Sequence, residues 1–155
     1  MTGMLKIEAE WQRFETLSAD ELYELLRFRQ AIFVVEQRSA YPDLDGLDRQ
    51  AMHLLLRAEG KLAGCLRLMP SPLRIGRVAT AAALRRRGLG RRLMREALLY
   101  CRETYPGGAV AVSAQAHLVP FYRGFGFEVT GEPYDDFGIT HLDMELRPHR
   151  APPIS

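Results

Sequence analysis

Residues 73 to 101 constrain the fold more than any other stretch. "LRIGRVAT" reads as a strand. "RRRGLG", Arg85 to Gly90, comes next, and Leu89, Leu93, Ala97, Leu98 and Cys101 then recur at helical spacing. A strand, then Arg-x-x-Gly-x-Gly, then a helix is an arrangement that presents a helix N-terminus to an anion. First-turn N–H groups have no internal partner, and the macrodipole is positive at that end. Glycines such as Gly88 and Gly90 let a diphosphate approach the backbone by removing the Cβ atoms that would block it. Arg85, Arg86, Arg87, Arg91, Arg92 and Arg95 surround the two glycines. The chain has no G-x-x-x-x-G-K-[ST], and no G-x-G-x-x-G with an acidic residue about 20 positions on. A nucleotide-triphosphate loop and a dinucleotide site are therefore both disfavoured.

The 155 residues suit one domain, expected over 1–147, with a proline-rich tail, 148–155, that reads as frayed. The formal net charge is only +2, so the arginine cluster is not part of a generally basic surface. A nucleic-acid binder usually has a wider basic footprint, and no specific nucleic-acid partner is expected. Cys65 and Cys101 lack metal-type spacing, the four histidines are scattered, and no metal site is expected. Reduced core thiols, no signal-peptide core and no apolar run near the roughly 18 residues of a membrane span point to a cytoplasmic protein.

Along the chain, Leu5, Ile7, Ala9 and Trp11 alternate as in a half-buried strand. Ser18 followed by Glu21 has the form of a capping box, opening a helix that carries Leu22, Leu25, Leu26, Arg29 and Phe33 on one face. "AYPDLDGLD" reads as a loop. "MHLLLRA" and "KLAGCLRLM" flank Glu59-Gly60 as a hairpin, which "PSP" ends. "AVAVSAQ" reads as a buried strand, and Pro120 suits the first turn of a short helix. "FEVTGE" and "THLDMEL" could close a last antiparallel pair. This mixed order predicts an α+β fold, a sheet with helices packed on it.

Two motifs carry a resemblance to a known family. "RRRGLG" matches the [QR]-x-x-G-x-[GA] signature of the GCN5-related N-acetyltransferase (GNAT) superfamily. "VSAQAHLVPFYRGFGF" is similar to that family's strand, polar residue and helix bearing a tyrosine before Gly-Phe, here Gln115, Tyr122 and Gly126-Phe127. "FVVEQ", "YPDLDGLD", "HLLL", "IGRVAT" and "GITHLDM" extend the likeness to the bacterial ElaA-like subgroup along nearly the whole chain. The resemblance implies the GNAT acyl-CoA N-acyltransferase fold, with a mixed, mostly antiparallel central sheet flanked by helices.

It also implies a reaction, transfer of an acetyl group from acetyl-CoA to a primary amine of a small molecule or peptide by direct attack. By this resemblance the backbone of Val78, Ala79 and Thr80 would hold the pantetheine arm. Arg85, Arg86, Arg87, Gly88, Leu89, Gly90 and Arg91 would take the pyrophosphate. Tyr122 matches the family's general acid, and a phenol can donate a proton to a departing thiolate. Some members place a glutamate base on the glycine-loop strand. Here that strand carries Arg74 and Arg77 instead, which leaves His117 and Glu36 as candidate bases, His53 and His141 as weaker ones, and water as a relay. Glu36, Arg77 and Gln115 are candidate substrate contacts. Dimers are frequent in the family, so the resemblance allows a homodimer.

Arg29, Arg67 and Arg77 interrupt apolar surroundings, and a buried arginine needs a carboxylate. Asp43, Asp45 and Asp48 could serve as partners or greet a cationic substrate, although a solvated loop is the default reading. "RFRQAIFVVEQ", the Asp45…Asp48 loop and "GCLRLMP" also resemble acyl-homoserine-lactone synthases. The intact Arg85–Gly90 loop and the short chain argue against that reading. A non-catalytic acyl-CoA-binding module is the remaining alternative.

Overall fold

The computed structural model describes residues 5–148, so most of the expected tail lies outside the described residues. Eight strands form one mixed, mostly antiparallel sheet: β1 (Ile7–Arg13), β2 (Met52–Ala58), β3 (Lys61–Pro70), β4 (Leu73–Thr80), β5 (Val110–Gln115), β6 (Glu128–Val129), β7 (Tyr134–Asp136) and β8 (Ile139–Leu146). The spatial order is β1-β2-β3-β4-β5-β8-β6, with β7 also on β8. The β4–β5 pair is parallel and the other pairs are antiparallel.

Three helices flank the sheet: α1 (Ala19–Gln30), α2 (Leu89–Thr104) and α3 (Val119–Arg123). The capping box forms at the start of α1. Glu21 N–H donates to Ser18 Oγ at 3.0 Å, and Ser18 N–H donates to the Glu21 carboxylate at 2.9 Å. The helical spacing read through Phe33 is not one regular helix. After Gln30 the chain widens into a π-helical turn, Ala31–Glu36, in which Gln37 N–H reaches Ile32 O and Ser39 N–H reaches Val34 O. Ile32 and Phe33 both join the core beneath α1.

Two cores result. On one sheet face Leu89, Leu93, Met94, Ala97 and Leu98 of α2 meet Leu54, Leu56, Leu66, Leu68 and Ile75. Burying each large aliphatic side chain is worth about 1.5–3 kcal/mol. The other face packs Leu55, Cys65 and Ala79 against Leu25 and Ile32. Gly64 lets α2 approach, since a Cβ there would lie 3.2 Å from Leu93 Cδ1 and 3.3 Å from Ala79 O. Cys65 and Cys101 are free and buried, and burial pushes both thiols up to about 12.

Two strand expectations change. "PSP" is the tight turn that joins β3 to β4, so a third strand extends the hairpin. "FEVTGE" supplies only the two residues of β6, because Gly131 and Pro133 interrupt it, and β7 then pairs with β8.

Candidate active site

The parallel pair β4–β5 holds its register only at Arg74↔Ala111 and Ile75↔Val112. Beyond these pairs the strands part. The antiparallel β3–β4 ladder slips at the same level, from Arg67↔Gly76 to Cys65↔Ala79, so that Arg77 and Val78 bulge opposite Leu66. Arg77 has a left-handed φ of 53°, a conformation uncommon away from glycine and a mark of local strain.

A cleft of about 250 Å³ opens at this point. Its walls include Arg77 and Val78 of β4, Gln115 of β5, Tyr122 of α3 and Phe33 of the π-helical turn. His141 and Asp136 line it from β8 and β7. The structure therefore brings Arg77, Val78, Gln115 and Tyr122 together. Tyr122 is 5% exposed and stacks edge-on against Phe121 and Phe127, with centroids 5.2 and 5.9 Å away. Burial pushes its phenol up to about 12.

Two candidate bases stand elsewhere. His117 lies exposed on the short turn before α3 and is not among the residues lining the cleft. The Glu36 carboxylate is held by both Arg85 guanidinium nitrogens, one at 2.9 Å, and Arg85 also donates to Thr80 O at 3.1 Å. His141, ranked lower from the sequence, is the imidazole in the cleft. Its Nδ1 lies 2.8 Å from Ile139 O, and its ring stacks on Tyr134. With Nδ1–H donating, Nε2 keeps a lone pair. The signal for it was its place on a strand, three residues before Met144 and on the opposite face, which no spacing rule would have singled out.

The glycine loop leads from β4 to α2. Gly88 is the N-cap residue of α2 with φ +78°, and no side chain caps the helix. The first backbone bond into the helix runs from Arg92 N–H to Gly88 O at 2.9 Å. The Leu89, Gly90 and Arg91 N–H groups precede it, with Arg86, Arg87 and Arg91 exposed around them. A Cβ on Gly88 would meet nothing within 4 Å, and one on Gly90 would meet Phe121 at an ordinary 3.6 Å. Within the chain, Gly88 is favoured by its left-handed backbone and not by crowding from neighbouring protein atoms.

The acidic loop is not a solvated one. Arg29 Nε donates to Asp43 at 3.0 Å and its Nη1 to Asp48 at 2.7 Å. Arg67 bridges Asp45 and Asp48, at 2.5 and 3.1 Å. Arg77 Nη2 donates to Asp43 O at 3.0 Å and to Asp45 at 3.1 Å. Arg77 Nε sits 2.7 Å from Asp43 Oδ1 with its N–H turned away, so that contact is Coulombic and not a directed bond. The Arg77 guanidinium also lies 4.8 Å above the Tyr41 ring. Three arginines and three aspartates thus neutralise one another beside the cleft. Burial works against the Asp48 carboxylate, but Arg29 and Arg67 outweigh it and hold its pKa low. Arg67 holds the Asp45 carboxyl well below the usual range. His53, its Nε2 2.8 Å from Asp48 O, is shifted down by burial.

Comparison with known proteins agrees with this geometry. The family profile of the acetyltransferase (GNAT) domain matches residues 17–148. A UPF0039 protein of Synechocystis is 41% identical, over 92% of this chain and 97% of its own. The ElaA protein of Escherichia coli is 40% identical, over 87% of this chain and 94% of its own. The crystal structure of E. coli ElaA superposes with a TM-score of 0.87 at 37% identity, covering 92% of this chain and all, 100%, of that one. That of an acyl-CoA N-acyltransferase from Pseudomonas aeruginosa superposes with a TM-score of 0.86 at 36% identity, covering 91% and 99%. The splayed parallel pair, the open helix N-terminus and these likenesses together place the chain in the GNAT acyltransferase family, in the group that includes ElaA and the UPF0039 proteins.

Proposed function

We propose that the chain transfers an acetyl group from acetyl-CoA to the primary amine of an acceptor, by direct attack and with Tyr122 as general acid. The observation that carries this reading is the parting of β4 and β5 after two registered pairs, with the buried Tyr122 phenol lining the gap.

The Leu89, Gly90 and Arg91 N–H groups fit a pyrophosphate, and Arg86, Arg87 and Arg91 add positive charge around it. The backbone of Val78, Ala79 and Thr80, on β4 beyond its pairing with β5, would hold the pantetheine arm. Arg85 acts one step back: paired with Glu36 and Thr80 O, it ties the π-helical turn to the end of β4.

The acceptor nitrogen forms a bond to the thioester carbonyl carbon, and the carbon–sulfur bond breaks. Sulfur leaves with the electron pair and takes the Tyr122 proton, and the phenolate is refilled by a proton from the former amine. Burial suits Tyr122 to this task by keeping it protonated. Because its pKa lies well above the roughly 8.5 of a thiol, it acts first as a hydrogen-bond donor to the charge developing on sulfur. The acceptor's ammonium must first shed one proton. His141 and Asp136 line the cleft, whereas His117 and Glu36 do not, and we assign the proton to the His141 imidazole.

Thermal unfolding with acetyl-CoA, CoA and a duplex DNA control, followed by turnover of an amine panel, tests this reading. Acetyl-CoA at 100 times its Kd stabilises by about 2.7 kcal/mol. No shift with any CoA species overturns the cofactor site, and a shift with DNA alone favours a nucleic-acid module.

A further inference from the structure

We propose that the acceptor amine also carries a carboxylate, as a free amino acid does, and that the Arg74 guanidinium binds it. This deepens the acyltransferase reading and rests on it.

Three guanidinium groups line the cleft: Arg67, Arg74 and Arg77. Arg67 and Arg77 are spent on Asp43, Asp45 and Asp48, which Arg29 completes to a balanced set. The Arg74 guanidinium has no hydrogen-bond or ion-pair partner among the described residues, although the residue is only partly exposed. A half-buried guanidinium without an anion gives up hydration and receives nothing in exchange, so the cleft is electrostatically incomplete without a negative group there.

CoA does not supply that group. Arg74 stands near the start of β4, six residues before Thr80, where the strand runs out toward the glycine loop. At about 3.3 Å per residue the two ends lie roughly 20 Å apart. The phosphate end of the cofactor and Arg74 therefore belong to opposite ends of the strand, with the splayed region between them. Arg74 sits on the acceptor's side, cross-strand from Met69 and beside the last pair that still holds β4 to β5.

The rest of the cleft favours the same class of acceptor. Asp136, on β7, lines this space, and its carboxylate makes no hydrogen bond or ion pair among the described residues. One unpaired anion and one unpaired cation match a molecule holding both an ammonium and a carboxylate. A polyamine would face Arg74 uncompensated, and the nearby acidic loop is already neutralised by arginine. At about 250 Å³ the cleft lies below the roughly 300–1,000 Å³ of drug-sized sites, which suits a small metabolite.

The experiment compares each of the common L-amino acids with its own α-carboxamide as acceptor, using acetyl-CoA and the wild type, Arg74→Ala and Arg74→Lys. Cofactor binding is checked for each variant by the acetyl-CoA thermal shift. The expected result is turnover of at least one amino acid in preference to its amide. In Arg74→Ala its KM should rise roughly 10- to 100-fold, as for loss of a charged hydrogen bond. The amide's kcat/KM should be unchanged and Arg74→Lys intermediate. Amides used as well as the free acids, or a preference that survives Arg74→Ala, would overturn the assignment. So would no turnover of either set by protein that binds acetyl-CoA. Failure to bind acetyl-CoA would instead overturn the acyltransferase reading beneath it.

Discussion

Replacing Asp48 with alanine should be the most damaging single change outside the apolar core. Asp48 is 8% exposed and takes bonds from Arg29 at 2.7 and 3.3 Å and from Arg67 at 3.1 Å. Removing one partner of a buried ion pair costs about 3–5 kcal/mol, chiefly because the opposite charge is left unpaired. Here neither arginine is stranded, since Arg29 retains Asp43 and Arg67 retains Asp45. The loss should therefore fall near the lower end, about 3 kcal/mol. For a chain of this size that lowers Tm by roughly 6–12 °C, at about 2–4 °C per kcal/mol. Urea unfolding of Asp48→Ala, Arg29→Met and the double variant measures it. The double variant restores the charge balance and should lose clearly less than the sum of the two single changes. Strict additivity, or a loss below about 1 kcal/mol, would refute the claim that the network acts as a unit.

Tyr122→Phe should lower kcat with little change in acetyl-CoA affinity; equal activity in a thiol-release assay would remove Tyr122 as the acid. His141→Gln should depress kcat/KM at neutral pH in the same assay, while His117→Gln should leave it near wild type. Gly88→Ala should cost about 1–2 kcal/mol through its left-handed φ, and Gly88→Asp should further weaken acetyl-CoA binding by charge repulsion, as read by titration calorimetry. Stability should fall on acidification in two stages. His53 is depressed, so its contribution is present above about 6.5 and wanes below it. Asp45 and Asp48 are also depressed, so theirs is present above about 4 and is lost as pH falls further. Urea midpoints from pH 8 to 3 would trace both stages, and a flat profile would contradict them.

Local signals in the sequence translated well into structure. The Ser18–Glu21 cap, the Glu59-Gly60 turn and the apolar face of α2 all depend on neighbours within a few residues. The π-helical turn escaped because Phe33 follows Arg29 at an interval of four, which continues the 3.6-residue spacing of Leu22, Leu25 and Leu26. The three-residue β7 has no period long enough to read. The arginine–aspartate network spans separations from 14 residues, Arg29 to Asp43, to 34, Arg77 to Asp43, so a surface loop was the natural expectation for its carboxylates. The candidate base suffered in the same way. His117 lies near Tyr122 in sequence, whereas His141 reaches the cleft only through the β5–β8 register, opposite Gln115.

The interrupted β4–β5 ladder also bears on how copies of this chain keep apart. A strand edge with unpaired N–H and C=O groups is a template for another chain, and proteins usually blunt such edges. The outer edge at β1 alternates Ile7, Ala9 and Trp11 with Glu8, Glu10 and Gln12, and Lys6 precedes it. The opposite rim ends in the two residues of β6 and the three of β7. The open edges of β4 beyond Ile75 and of β5 beyond Val112 instead face each other inside the molecule. The fold thus keeps these two edges where another protein's strand would have to enter a crevice to reach them.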